Sequence, residues 1–152
     1  MFKDEILNVV DQELVSYLKK KFEEGPNKAD PDDFLKVIEF VRQLAEENDD
    51  VRKALGASDF RCQVIIRDVN KKFWLTTLGG KLEYGEGEVD DPSFTFKGLL
   101  KVLAGVIFGV KDGPANYLAG ELTIEGSVTL SLAFNEIILV TLDAFQDLTA
   151  EI

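Results

Sequence analysis

The chain has 152 residues, 45% of them hydrophobic and 30% charged, and a formal net charge of −11. That length fits one domain with enough interior for a core that needs no staples, and the composition excludes a disordered chain. The acidic balance argues against nucleic acid, whose phosphates are neutralised by Lys and Arg, and against electrostatic docking on an anionic bilayer, leaving at most transient membrane contact.

The first predicted element is a helix. Phe2, Ile6, Val9, Val10, Leu14, Leu18 and Phe22 recur at three- and four-residue steps until Gly25-Pro26-Asn27 stops them. Asp30 before Pro31 reads as an N-cap and first turn, opening a second helix with Phe34, Leu35, Ile38, Val41, Leu44 and Ala45 on its stripe. Val51–Leu55 adds one short turn ending at Gly56. From residue 59 the period changes to two. Phe60, Cys62, Val64 and Ile66 face inward on a strand, with Arg61, Gln63, Ile65 and Arg67 facing out. Phe73–Leu78, the Gly79-Gly80 turn and a strand carrying Leu82 and Tyr84 follow, then a short strand over Ser93–Phe96. Lys97–Val110 reads as an apolar helix. A short helix capped by Asp112, a fifth strand over Glu121–Glu125, and a long helix from the Ser127 cap to about Leu148 complete the chain. The expectation is a single domain, 1–152, with residues 1–58 as an N-terminal helical extension and 59–148 as the core.

Chemistry-bearing residues are scarce. There is no histidine, which removes the commonest general base and zinc ligand, and the single cysteine cannot build a thiolate metal site or an intrachain disulfide. Gly85-Glu86-Gly87 is too little for a dinucleotide loop, and its acid would repel a pyrophosphate. Asp30-Pro31-Asp32-Asp33 reads as a helix start or a calcium loop, and Cys62 as a core thiol or a reactive one. No enzyme activity, cofactor or metal site is expected. Met1-Phe2-Lys3-Asp4-Glu5 is not a signal peptide and Ala150-Glu151-Ile152 is not the peroxisomal tripeptide, so the expected compartment is the cytoplasm.

The informative excess is apolar. Val128, Leu130, Leu132, Phe134, Ile137, Ile138, Leu139, Val140, Leu142, Phe145 and Leu148 spread over more than one face of the last helix, where a surface helix needs one stripe. Thr129, Ser131, Asn135, Glu136, Thr141 and Asp143 interrupt it, unlike a membrane span. The second face must meet another element, a partner, a ligand or lipid.

Several motifs in order then carry a resemblance. Gly109, Tyr117, Gly120, Leu122, Ile124 and Gly126, followed by Leu130 and Phe134, resemble the sterol-carrier-protein family pattern. Trp74–Gly85 resembles that family's tryptophan-led second strand and glycine turn, and Asp91–Phe96 its Asp-x-Thr-hydrophobic-Thr-hydrophobic strand. The resemblance covers about residues 59–148, with Glu121 standing where a basic residue is usual. It implies an α+β fold: a five-stranded, mostly antiparallel sheet covered on one face by helices, with an apolar tunnel, here with two extra N-terminal helices. The tunnel would bind fatty acids, fatty acyl-CoA, phospholipids or sterol- or isoprenoid-like molecules without catalysis.

Its expected lining is Phe96 on the fourth strand and Leu100, Leu103, Ile107 and Phe108 on the helix after it. Tyr117 and Leu118 would come from the short helix, and Leu130, Phe134, Ile137 and Ile138 from the last. Each last-helix residue is either lining or packed core. Val106-Ile107-Phe108 either gates the tunnel or packs inward, and Trp74 and Tyr84 either pack the sheet or touch ligand. The alternative function is an interaction or adaptor module that uses the apolar helix face against a protein partner or a second copy of the chain.

Overall fold

The structure is a computed structural model and describes residues 10–109 and 120–150. Helix α1 spans Gln12–Glu24. The Asp11 carboxylate caps it by accepting from the Glu13 and Leu14 N–H groups, and Gly25 ends it at φ 86°. A 3-10 turn, Pro26–Lys28, leads to α2, Asp33–Leu44. The expected start at Asp30 and Pro31 is therefore corrected. Asp30 stays in the preceding turn because its carboxylate is taken by the Lys21 ammonium at 3.0 Å, while its carbonyl accepts from the Asp33 N–H. Helix α3, Asp49–Gly56, is capped by Asn48, whose side chain accepts from the Val51 N–H at 3.0 Å.

Five strands follow: β1 Phe60–Ile66, β2 Lys71–Leu78, β3 Lys81–Glu86, β4 Phe94–Gly98 and β5 Thr123–Gly126. They form one mixed sheet in the order β3-β2-β1-β4-β5, with β1 and β4 parallel and the other neighbours antiparallel. Gly79 and Gly80 both take positive φ, the two-residue hairpin that suits the strand twist. The expected helix over Lys97–Val110 is shorter. Lys97 and Gly98 remain in β4 because they pair with Ile65 and Ile66 of β1, and Lys97 also with Thr123 of β5. Helix α4 spans Leu100–Ile107, and its first N–H is capped from the β1–β2 turn by Asp68, at 2.9 Å. The fifth strand sits two residues later than expected at its start. Gly126, at φ 92°, closes it where an added Cβ would lie 2.5 Å from the Ser93 carbonyl oxygen. Ser127 caps α5, Val128–Thr149, accepting from the Leu130 N–H at 3.1 Å.

Among the described residues the fold is thus five α-helices and a five-stranded sheet, an α+β arrangement. The inner sheet face carries Phe60, Cys62, Val64 and Ile66 with Phe73, Leu75, Phe94 and Phe96. Helices pack on it through aromatic contacts. Phe34 of α2 stacks on Phe73 at 5.9 Å, Phe134 of α5 meets Phe60 and Phe96, and Phe145 joins α5 to Phe40 of α2 and Phe22 of α1. On the outer face the Trp74 indole lies over Gly85, where a Cβ would be 2.8 Å from the ring. Gln63, expected to face solvent, is buried there instead. Its amide donates to the carbonyls of Phe73 and Gly87 and accepts from the Val89 N–H, so the loop after β3 folds across it.

Two polar clusters tie the helices together. In the first, the Lys21 ammonium of α1 bonds Asp30, Asp33 and the Lys28 carbonyl, and the Tyr17 hydroxyl donates to Asp33. In the second, Glu39 of α2 accepts from Arg42, from Gln43 and from the Tyr84 hydroxyl of β3. The two-pronged bond from Arg42 outweighs the effect of burial, and with help from Tyr84 and Gln43 holds the Glu39 carboxyl down at about 2, against an ordinary 4.5.

A carboxyl depressed in the folded state stabilises the protein fully above its ordinary pKa and loses that contribution as pH falls through its folded value. Because Arg42 is half exposed, the contribution is discounted to about 1–2 kcal/mol. Glu39→Gln is expected to lose this amount in urea unfolding at pH 7, and the gap to wild type should close between about pH 4.5 and 2. A gap that persists at pH 2 would contradict the assignment.

Candidate functional site

The spread of apolar residues around α5 resolves into two adjacent stripes. Phe134, Ile137, Ile138, Thr141, Phe145 and Leu148 follow three- and four-residue steps and are buried in the core. Beside them Val128, Ser131, Leu132 and Asn135, at i, i+3, i+4 and i+7, face a cavity of about 240 Å³. Phe134 stands where the two stripes meet.

The other walls come from five elements and the approach to β5. Val64 and Phe96 rise from the inner sheet face, Leu122 and Ile124 from the β5 side, Leu103, Val106 and Ile107 from α4, and Phe34 from α2. Apart from Ser131 and Asn135 the lining is apolar. Ser131 already donates its hydroxyl to the Val128 carbonyl at 2.6 Å. No ionisable side chain is among the lining residues, so the surface offers apolar contact and little else. Val128 and Leu132 are 41% and 48% exposed and mark where the cavity meets solvent.

Of the expected lining residues, Phe96, Leu103, Ile107 and Phe134 border this cavity. Leu100 borders a separate 10 Å³ void. Phe108 lies past the C-terminal end of α4 and packs on Phe22, ring centroids 5.1 Å apart. Leu130 packs against the core from one position off the cavity stripe, and Ile137 and Ile138 belong to the core stripe. Tyr117 and Leu118 lie outside the described residues. Within the segment Val106-Ile107-Phe108, the first two residues face the cavity and the third does not.

Sequence reasoning missed Phe34, Val64, Val106, Leu122, Ile124, Val128, Ser131, Leu132 and Asn135 as lining. The i, i+3, i+4, i+7 spacing of the α5 residues was a usable signal, obscured by the polarity of two of the four.

The remaining candidates sit elsewhere. Cys62 is fully buried in β1, and burial pushes its thiol well up, as in a core thiol. The Tyr84 hydroxyl is committed to Glu39 and Trp74 lies on the outer sheet face. The Asp30–Asp33 segment holds the Lys21 ammonium between two of its carboxylates.

The sheet and the helices thus enclose an apolar cavity in an α+β domain. The model of the SCP-2 sterol transfer family matches residues 29–139, and the chain belongs to that family, whose domain is generally a non-catalytic module for lipid binding or transfer. The match takes in α2 and α3 as well as the segment that carries the sequence motifs. No curated protein sequence matches the chain.

Among solved structures it is similar to the stereoselective inverting sec-alkylsulfatase Pisa1 from Pseudomonas sp. (19% identity, TM-score 0.57), covering 74% of this chain and 16% of the enzyme's. The chain therefore spans a small fraction of that larger protein. It is also similar to apo sterol carrier protein 2 from Yarrowia lipolytica, at 13% identity and TM-score 0.53, covering 69% of this chain and 86% of the other. For the sterol carrier protein domain 2 of Helicoverpa armigera the figures are 12%, 0.55, 76% and 94%. At these identities the likeness is one of fold.

Proposed function

We propose that the chain is a non-catalytic cytoplasmic lipid-binding protein that holds the apolar chain of a fatty acid, fatty acyl-CoA, phospholipid or sterol- or isoprenoid-like molecule in the cavity under α5. The observation that carries this reading is the lining itself: thirteen residues, of which only Ser131 and Asn135 are polar and none ionisable. Apolar walls provide a driving force for hydrocarbon and no acid, base or nucleophile for a reaction.

The test has two arms. Solvent extraction of purified protein followed by mass spectrometry should release a lipid. Calorimetric titration with a straight-chain fatty acid should saturate, with half-saturation of roughly 10–100 μM or tighter for a ligand of about ten heavy atoms. No released lipid together with no saturable heat would reject the reading.

A second reading rests on Val128, Leu132 and Leu139, which are 41–50% exposed on α5. They favour an interaction module that covers this helix face with a protein partner or a second copy of the chain. It predicts a concentration-dependent mass in light scattering, lost on Leu139→Glu, with no lipid requirement.

A further inference from the structure

We infer that Phe34 closes the inner end of the cavity and limits the apolar chain it accepts to about eight carbons, so that the ligand is a single medium-length acyl or alkyl group. This rests on the lipid-binding reading and narrows it.

Volume is the first argument. Taking a methylene to displace about as much as a liquid water molecule, roughly 30 Å³, a cavity of about 240 Å³ holds about eight. A sterol of about twenty-seven carbons needs roughly three times that space.

The second argument is where the cavity ends. The 10 Å³ void that borders Leu100 is also lined by Asp30, Pro31 and Asp33. It shares three wall residues with the large cavity: Phe34, Leu103 and Ile107. These three are the partition, and Phe34 is the largest of them. Its ring is 4% exposed and lies nearly parallel to Phe73, at 23°.

The third argument is that Phe34 is held in place. It follows Asp33, the first residue of α2, whose carboxylate is bound by Lys21 at 3.2 Å, by the Asp30 N–H at 2.8 Å and by the Tyr17 hydroxyl. The ring cannot retreat without disturbing that cluster. With the cavity meeting solvent at the exposed Val128 and Leu132 and Phe34 buried, a chain would lie with its methyl end against Phe34 and its head group in water.

Isothermal titration calorimetry with the straight-chain fatty acids from hexanoate to tetradecanoate in one-carbon steps, each kept below its micelle concentration, tests this. Wild-type affinity should rise about fourfold per methylene up to about octanoate and then level, because further carbons stay in solvent. Phe34→Ala, which removes a ring worth roughly three carbons of space, should move the levelling point to about undecanoate length, between decanoate and dodecanoate. Phe34→Leu should move it by about one carbon, and carries the comparison if the alanine variant does not fold. Affinity that climbs unbroken to tetradecanoate in wild type, or a levelling point that is the same in wild type and a folded variant, overturns the assignment while leaving lipid binding intact. No heat of binding with any chain length rejects the lipid reading itself.

Discussion

Ser131→Trp is expected to remove octanoate binding, at least a thirtyfold loss of affinity, while the protein still unfolds in one cooperative step. Ser131 is 3% exposed and sits in the middle of the α5 stripe that faces the cavity. On the scale that makes a phenyl ring worth about three carbons, a nine-atom indole at that position takes up roughly four to five of the eight, so the indole and a full chain compete for one space. Because the space already exists, the variant should lose less than the roughly 1–3 kcal/mol of a ring forced into a packed core. Leu130→Trp is the control. It lies one residue along, off the cavity stripe, and should cost stability without changing affinity. Calorimetry on the two variants gives the answer. Wild-type binding by Ser131→Trp, or loss in Leu130→Trp alone, would move the ligand to another face of α5.

Lys21→Met is expected to produce the largest loss of stability, about 3–4 kcal/mol, or roughly 10 °C in melting temperature. The Lys21 and Asp33 side chains are 9% and 1% exposed, so removing the ammonium strands a carboxylate away from water. Burial alone would pull the Lys21 ammonium towards deprotonation, but its bonds to Asp30 and Asp33 outweigh that and raise its pKa above the ordinary 10.5. A raised pKa means that the contribution is complete below about 10.5 and is lost only as pH rises through the folded value. The difference between wild type and variant should therefore be flat from pH 6 to 9 in urea titrations. The double variant Lys21→Met/Asp33→Asn should recover part of the loss, since an amide is cheaper to bury than a stranded charge. A single-variant loss below about 1 kcal/mol would mean that desolvation of the pair cancels its attraction.

Much of the fold could be read from local chemistry. Alternation at Phe60, Cys62, Val64 and Ile66 identified the central strand, Gly79-Gly80 the hairpin, and Ser127 the start of the longest helix. These signals are local, and tertiary structure had only to agree with them. The errors arose where a distant group intervened. Lys21 draws Asp30 away from its capping role, Asp68 supplies the cap that α4 lacks in its own sequence, and the loop after β3 buries Gln63.

The candidate site was partly legible for the same reason. Phe96, Leu103, Ile107 and Phe134 are large apolar residues on elements that obviously face one another. Phe34 belongs to a helix that sequence reasoning placed in an extension outside the core. Its part in the wall depends on α2 packing against the same sheet face as α4 and α5, which no short-range pattern records. Ser131 and Asn135 escaped because their polarity hid their position, although their spacing from Val128 put them on one face.

The lone thiol of Cys62 gives the molecule its own clock. It lies on the central strand with no solvent exposure, bonded on one side to β2 and on the other to β4, and its pKa is pushed well up. A thiol-alkylating reagent can therefore reach it only when the sheet opens, and labelling of the native protein counts those openings with no engineered probe. Anything that fills the cavity binds the closed form and not the open one, so each tenfold excess of ligand over its dissociation constant should slow labelling by about tenfold. Occupancy could then be timed by mass alone, in a mixture of unidentified lipids, from the rate at which one sulfur atom gains an adduct.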